Sequence, residues 1–349
     1  MRKLYAFLGY LLLPLVLIDL ALKAWRLPAY RQRWQERLGF YNKTVSSGVI
    51  WLHACSVGEV ETSISLIRKL QERYPTIPCL VTTTTPTGSS RIIDEFGETI
   101  QHVYLPFDIS FVVNVFLTRF QPRIAIIVEK EIWPNLFFQC DDRNIPLVLA
   151  SALLSERSLH RYLHWQRLFK PVFQIISRIG AQADLDAKQF NQLGVAAERI
   201  SVTGSLKFER TVSEQLKRQA TQLRQQLFPT RSIWIAASTH DNEEILLLDR
   251  LQQLQTNNPY LLLIIAPRHP QRGISIVNYC NQQSISCVTR SSGLSCQSDT
   301  RVFLLDTLGE LMLFYGVADL AFVGGSLVSV GCHNLLEPAA WGIPMLFGS

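Results

Sequence analysis

Short apolar runs alternate with amphipathic stretches along most of the chain. In the first half the apolar runs fall at 49–53, 78–83, 102–105, 124–128, 147–150, 175–181 and 200–204. Helical periodicity fills the intervals, as at 60–74 and 110–119. Continuous apolar strands separated by helices are typical of a parallel sheet that is covered on both faces. This half therefore predicts one α/β domain.

The same pattern resumes after a polar stretch at 209–226, whose composition indicates a solvated connecting helix. The second series of apolar runs falls at 232–236, 261–266, 286–288, 302–305 and 320–323. We therefore predict an N-terminal Rossmann-like domain at 28–208 and a C-terminal Rossmann-like domain at 209–349. Since ligands of open α/β sheets bind at the carboxyl ends of the strands, we expect a cleft between the two domains.

The N-terminal segment differs from the rest. Residues 4–22 are apolar except for Asp19, which is about the length that a membrane-spanning helix needs. The segment has no small-residue cleavage site, so we predict a retained membrane-anchor helix at 1–27. Pro14 and Asp19 leave a shallow, interfacial helix open as the alternative.

Basic residues follow this helix against a single acid, Glu36, in the same stretch. They are Lys23, Arg26, Arg31, Arg33, Arg37 and Lys43. Their position next to an apolar helix favours anionic lipid over nucleic acid as the partner. By the positive-inside rule, the rest of the chain is expected in the cytoplasm.

The composition and the cysteine spacing bear on whether the protein holds a metal. The 349 residues carry a net charge of +6 and seven cysteines, none in a CxxC pair. Scattered cysteines without metal spacing indicate reduced thiols in the cytosol, and the histidines show no ligand pairing. We therefore predict no metal site.

Candidate functional residues of the first half follow its predicted strands. Glu59, in SVGE at 56–59, begins a helix and is suited to be a general base, or it only complements the helix dipole. Glu129 and Glu131 follow the run 124–128, where carboxylates have no packing role. Lys207, in GSLKFE at 204–209, is either a phosphate contact or a surface lysine.

The second half offers groups that suit a nucleotide. Arg268 follows Pro267 in PRHPQR, and a guanidinium pairs well with phosphate. DTLGEL at 306–311 and GGSLVSVGCHNLLEPAAWG at 324–342 each place glycine between a strand and a helix. We expect free N–H groups of the second loop to bind phosphate, and Glu337 to bind a ribose.

These motifs, together with EKEIWPN and SERS, resemble in the same order those of the 3-deoxy-D-manno-octulosonic acid (Kdo) transferases. The resemblance covers the whole chain. It implies an inverting glycosyltransferase with a GT-B fold that needs no metal or other cofactor. It further implies transfer of Kdo from CMP-Kdo to the lipid A precursor, a tetraacyldisaccharide 4'-phosphate, at the cytoplasmic face of the inner membrane, with no nucleic-acid partner.

The resemblance also implies roles for individual residues. Glu59 would be the base, supported in the transition state by Glu129 and Lys207. The contacts to CMP would be Pro267, Arg268, Leu308, Gly309, Glu310, Asn334, Leu335, Leu336 and Glu337. The anchor, the basic segment and the amphipathic stretch 159–173 would face lipid, although 159–173 is equally typical of an ordinary helix.

Two features depart from the family pattern. Cys332 stands where the family usually has glycine, which would strain the backbone if the position needs a positive φ. The sequence ends at Ser349, so we expect a truncated C-terminal domain that lacks further helices. The alternatives are an inactive truncated transferase that only binds CMP or lipid, and another GT-B lipid glycosyltransferase.

Overall fold

A computed structural model describes residues 1–41, 46–209 and 212–348. The chain forms two compact units, Met1–Glu209 and Arg210–Ser349, which we call unit 1 and unit 2. Lys43 of the basic stretch and the terminal Ser349 lie outside the described residues.

Unit 1 is built on a seven-stranded parallel sheet with the order β3-β2-β1-β4-β5-β6-β7. Its strands are β1 (Ile50–His53), β2 (Cys79–Thr83), β3 (Gln101–Tyr104), β4 (Ile124–Val128), β5 (Leu147–Ala152), β6 (Arg178–Ala181) and β7 (Ile200–Val202). Its helices are α1 (Arg2–Arg26), α2 (Val57–Arg73), α3 (Pro86–Phe96), α4 (Ser110–Phe120), α5 (Pro134–Asp142), α6 (Glu156–His164), α7 (Gln166–Gln174) and α8 (Asp184–Gln192).

Burial on both faces explains the continuous apolar runs of this sheet. Every residue of β1 is buried. Trp51 packs into one core with Phe116, whereas its neighbours Ile50 and Leu52 belong to the core on the opposite face. Alternate side chains of a strand point to opposite faces, so a strand with helices on both sides has no solvent-facing positions that favour polar residues.

Helix α1 lies against unit 1 along its length. Near its start the Arg2 guanidinium donates to Asp142, with Nη1 and Oδ1 2.9 Å apart, and the Tyr5 hydroxyl donates to Asp108 at 3.0 Å. Near its end Leu20 is buried. The face that makes these contacts repeats every three or four residues, which is the spacing of one side of a helix.

The opposite face of α1 is apolar and exposed. Its exposed members are Leu4, Leu8, Leu11, Leu15, Ile18, Leu22 and Trp25. They too recur every three or four residues. In the described part of the chain, α1 is the one helix that is long and apolar enough to cross a membrane. Because the face that carries Arg2, Tyr5 and Leu20 lies against unit 1, the helix presents an apolar stripe along its other side.

Two short 3₁₀ helices, Pro28–Arg31 and Trp34–Leu38, follow α1 and turn back along it. We call them the basic turns. The Arg31 guanidinium donates to the carbonyl of Ala24 at 3.0 Å, which ties the first turn to the end of α1. Arg33 donates through two nitrogens to Glu36, at 2.8 Å each.

Unit 2 contains a six-stranded parallel sheet with the order β10-β11-β9-β8-β12-β13. Its strands are β8 (Ser232–Thr239), β9 (Leu261–Pro267), β10 (Cys287–Thr289), β11 (Val302–Leu304), β12 (Leu320–Val323) and β13 (Met345–Leu346). Its helices are α9 (Glu214–Leu227), α10 (Glu243–Asn257), α11 (Gly273–Gln282), α12 (Leu311–Tyr315) and α13 (Leu336–Ala340).

The two parallel-sheet α/β units and the N-terminal apolar helix confirm the fold class predicted from the sequence. Each predicted apolar run contains a strand, and the bounds differ by a few residues. Only β13, two residues long, was not predicted. The interpretation of 159–173 as a lipid-facing stretch is wrong, because Leu159, Leu168, Val172 and Phe173 are buried in the core of unit 1.

Candidate active site

The predicted catalytic residues of unit 1 follow strands of its sheet. Glu59 lies in the first turn of α2 after β1, and Glu129 comes directly after β4, the neighbour of β1. Lys207 follows β7 at the edge of the sheet, yet its Nζ lies 3.2 Å from Glu129 Oε1. The structure therefore brings together two residues that are far apart in the sequence.

The Glu59 side chain is buried, and its carboxylate accepts few hydrogen bonds. One carboxylate oxygen accepts a hydrogen bond from the backbone N–H of Cys55 at 2.6 Å. Burial raises the pKa of Glu59 to about 7, the Cys55 N–H opposes this shift, and the neighbouring carboxylates Glu131 and Glu129 add to it. A carboxyl group with a pKa near neutrality can both accept and release a proton at physiological pH.

Backbone geometry fixes the position of Glu129. The residue has a φ of 61°, a left-handed conformation that is rare for a residue with a Cβ. Its N–H donates to the carbonyl of Ala150 at 3.0 Å, so β5 holds the turn in place. Strained backbone of this kind is common at functional sites, where it aims a side chain.

The turn that carries Lys207 is held by β5 rather than by β7, the strand that it follows. The 3₁₀ helix Leu206–Glu209 carries it, and the N–H of Leu206 donates to the hydroxyl of Ser151 at 3.1 Å. The lysine side chain remains about half exposed. It can thus leave Glu129 for an anionic ligand.

Glu59 and two neighbouring side chains form a cluster of groups that could bind a metal. Atoms of Cys55, Glu59 and Glu131 lie within 4.8 Å of one another. The Cys55 thiol is bonded to the Thr84 hydroxyl at 2.8 Å, and burial raises its pKa to about 11. A metal prefers the thiolate, so this thiol is a poor ligand at neutral pH. The absence of a metal remains a prediction.

The predicted CMP contacts of unit 2 share one edge of its sheet. Pro267 ends β9, residues 308–310 follow β11, and residues 334–337 follow β12. Leu308 is exposed and Gly309 has a φ of 85°. The Glu310 carboxylate is already occupied, because it accepts from Arg290 at 2.8 Å, which lowers its pKa.

Glu243 holds the glycine loop that begins at Gly324. This buried carboxylate, the first residue of α10, accepts from the N–H groups of His240, Gly325 and Leu327 at 2.9, 2.8 and 3.0 Å. The N–H of Gly324 donates to the carbonyl of Ala237 at 2.8 Å. The expectation that these amides are free for phosphate is therefore wrong.

The helix after the glycine loop is a single short turn. α13 has five residues, and the Asn334 side chain accepts from the N–H of Leu336 at 3.0 Å. Its dipole is correspondingly small. Gly331, with a φ of 97°, takes the left-handed conformation in this loop, and Cys332 does not. The expected backbone strain at Cys332 is thus not present.

Two histidines meet beside Arg268. The Nε2 atoms of His240 and His333 are 2.7 Å apart, with the rings stacked at 5.0 Å. Burial lowers the pKa of His333, and the nearby His240 and Arg268 lower it further. Among the described residues, Arg268 forms no ion pair and is exposed, so its guanidinium is available for an anion.

Sequence reasoning missed Glu243 and gave Glu131 no role. Glu243 belongs to THDNEE at 239–244, directly after β8, where acids after an apolar strand were the available signal. Nothing in the sequence indicates that its partner is a loop some 80 residues away, at Gly325.

The fold is shared with a known nucleotide-sugar enzyme. The crystal structure of UDP-GlcNAc 2-epimerase from Neisseria meningitidis bound to UDP-GlcNAc superposes with a TM-score of 0.54 at 15% identity, over 87% of this chain and 82% of that one. Two parallel-sheet units with polar groups at the strand ends define the GT-B class.

The sequence comparisons identify the family within that class. The model of the 3-deoxy-D-manno-octulosonic-acid transferase (kdotransferase) family matches residues 32–210. A 3-deoxy-D-manno-octulosonic acid transferase from Haemophilus influenzae is 40% identical over 99% of this chain and 82% of its own length. One from Rickettsia felis is 31% identical over 86% of this chain and 64% of its own length. The chain belongs to the Kdo transferase family of glycosyltransferases.

The expectation of a truncated C-terminal domain stays a prediction; the match with the Haemophilus relative spans 82% of that protein's length.

Replacing Glu243→Ala should destabilise unit 2. Three buried N–H groups would lose their acceptor, and each buried unsatisfied group costs about 1–3 kcal/mol, of which part is recovered by relaxation. We expect a loss of roughly 3 kcal/mol in the free energy of unfolding, measured with guanidinium in detergent. Asp241→Ala, which removes an exposed acid of the same segment, should cost below about 1 kcal/mol. Equal losses would contradict the role of Glu243.

Proposed function

We propose that this enzyme transfers Kdo from CMP-Kdo to the lipid A precursor, with inversion and without a metal. The observation that carries the proposal is Glu59, a buried carboxyl group whose pKa is raised to about 7 in a chain of the Kdo transferase family. The related Kdo transferases supply the identity of the sugar. The motif resemblance supplies the donor and the acceptor.

In the proposed reaction Glu59 accepts the proton of a glucosamine hydroxyl of the acceptor. The hydroxyl oxygen forms a bond to the anomeric carbon of Kdo, while the bond from that carbon to the phosphate oxygen breaks on the opposite face. The electron pair of the broken bond leaves with CMP. Because the two events take place on opposite faces, the anomeric configuration inverts.

Glu129 and Lys207 act on the charges that develop. Their ion pair of 3.2 Å keeps a cation at Glu129, a carboxylate whose charge acts on Glu59. The lysine offsets the negative charge of the leaving phosphate or of the Kdo carboxylate, and Glu129 favours the positive character of the anomeric carbon. CMP is an activated leaving group, so this mechanism needs no Lewis acid.

Unit 2 supplies the predicted contacts to CMP. The exposed guanidinium of Arg268 pairs with the phosphate. The backbone at 308–310 and the segment 334–337 contact the nucleoside, with the half-buried Glu337 on the ribose. Glu243 contributes indirectly, since it holds the loop that precedes Asn334.

The acceptor is a lipid, so we place the enzyme on the cytoplasmic face of the inner membrane. The exposed apolar stripe of α1 lies opposite the face that is bonded to unit 1. That arrangement suits a helix lying in the plane of the interface, with its apolar side in the lipid. The exposed Arg31 of the basic turns provides a cation for anionic headgroups.

Glu59→Gln should lower kcat roughly 10²–10⁴-fold, because the amide cannot accept the proton. The assay measures Kdo transfer from CMP-Kdo to the tetraacyldisaccharide 4'-phosphate by mass spectrometry of the lipid, with a chelator present. Glu61→Gln, on the same helix, should retain normal turnover. Near-normal transfer by Glu59→Gln would rule out this base, and loss of transfer on chelation would rule out the metal-free mechanism.

The pH profile should report the pKa of Glu59. As only the ionised base is active, kcat/KM should rise with pH and level off above about pH 7. Glu131 raises that pKa through its charge. Glu131→Gln should therefore move the acidic limb of the profile to lower pH, and Glu61→Gln should leave it in place. A limb that does not move in Glu131→Gln would exclude the proposed coupling.

Arg268→Ala should weaken CMP binding about tenfold or more, because a hydrogen bond between charged groups is worth about 1.5–3 kcal/mol. Titration calorimetry of CMP measures this directly. Arg250→Ala, which removes an exposed arginine from α10, serves as the matched control and should bind CMP normally. Unchanged affinity in Arg268→Ala would remove this residue from the donor site.

A further inference from the structure

An apolar groove runs between the second half of α1 and the basic turns. Its volume is about 580 Å³, within the range of ligand sites. Leu17 and Ala21 line one side, and Trp34 and Leu38 line the other. The Arg31 guanidinium stands at its border. A groove of this composition suits a hydrocarbon chain.

The groove adjoins a second, more polar cavity of about 320 Å³. Leu20 and Tyr30 belong to the walls of both cavities. The polar cavity is also lined by Cys55 and Glu131, the two residues that cluster with Glu59. The apolar groove therefore adjoins, across one shared wall, the cavity next to the proposed base.

Arg37 lines the polar cavity as a buried cation. It is 5% exposed, its Nη2 donates to the carbonyl of Thr84 at 2.8 Å, and its guanidinium lies 4.1 Å from the centre of the Tyr104 ring. Its Nε is buried without a hydrogen-bond partner. In the described ranges, no carboxylate lies at ion-pair distance from it. A buried cation of this kind requires an anion to compensate for lost hydration.

We propose that these two cavities form the acceptor site: an acyl chain of the glycolipid occupies the groove, and its phosphorylated sugar occupies the polar cavity against Arg37. The inference rests on the proposed function and deepens it. Lys23 also lines the polar cavity, but it forms an ion pair of 2.7 Å with Asp19, so Arg37 is the cation assigned to the phosphate.

An anionic glycolipid fits the two cavities together better than a ligand that would occupy only one of them. A free sugar phosphate would leave the groove empty, and a neutral hydrocarbon would leave Arg37 without an anion. The groove is bordered by α1, whose exposed apolar stripe faces away from unit 1. A chain could therefore pass from the lipid into the groove along the side of the helix.

The first test compares acceptors with long and with shortened acyl chains. In the wild-type enzyme kcat/KM should be higher for the long chains. Leu17→Trp fills the groove, so it should reduce the long-to-short ratio about tenfold, or ~1.4 kcal/mol. Leu15→Trp, on the exposed stripe and outside both cavities, should keep the wild-type ratio. Because a ratio is insensitive to the amount of folded enzyme, an unchanged ratio in Leu17→Trp would overturn the acyl site.

The second arm tests the phosphate. Arg37→Met should lower kcat/KM at least tenfold for the phosphorylated acceptor and much less for the same acceptor without its 4'-phosphate. Arg37→Lys should restore part of the difference. Equal losses on both acceptors would overturn the assignment of Arg37. If the wild-type enzyme transferred Kdo to no acceptor, the proposed function itself would fail.

A photolabel locates the chain without relying on turnover. An acceptor with a diazirine on an acyl chain should label Leu17, Ala21 or Leu38, as read by mass spectrometry of the peptides. Labelling confined to Leu15 and Leu22 would overturn the groove as the site. Equal labelling of the groove by a diazirine phospholipid that the acceptor does not displace would also overturn it, in favour of an ordinary membrane lipid.

Discussion

Both units depend on a buried glutamate at the start of the helix that follows their first strand. In unit 2 Glu243 accepts three backbone N–H groups and is a structural anchor for the glycine loop. In unit 1 Glu59 occupies the corresponding position after β1 and accepts one, from Cys55. Because Glu59 is buried with a single hydrogen bond to its carboxylate, loss of hydration outweighs that bond and raises its pKa. The raised pKa makes Glu59 suitable as the proposed base.

The Glu59 carboxylate accepts a single hydrogen bond, so the charges around it have a large influence on its ionisation. Its neighbours Glu131 and Glu129 oppose its ionisation, and Lys207 balances part of their charge. The left-handed backbone of Glu129 keeps this pair at the end of β4. The site thus combines desolvation of Glu59 with two like charges after β4 and two cations, Lys130 near Glu59 and Lys207 at Glu129.

The sequence was a good guide to the elements and to single candidates. β4 and β12 were predicted to the residue, because strands buried on both faces have no polar interruptions. Glu59, Glu129 and Lys207 were identified as polar groups in the segments that follow predicted strands. The free amides expected at Gly324–Gly325 were wrong, since a local pattern cannot show that Glu243 takes the Gly325 amide. The interpretation of 159–173 as lipid-facing was wrong for a similar reason. An amphipathic pattern shows that one face is apolar, but it does not show whether lipid or protein contacts that face.

By itself the sequence determined two parallel-sheet units, an N-terminal apolar helix and the family, because these rest on periodicity and on motifs that are local in the chain. Only the tertiary structure decided which groups meet. It placed Lys207 at Glu129 and docked one face of α1 on unit 1. Among the described residues, it left Arg37 buried without an ion pair in the polar cavity that adjoins the apolar groove. Such contacts depend on the packing of distant elements, and pKa values depend on the burial that this packing creates.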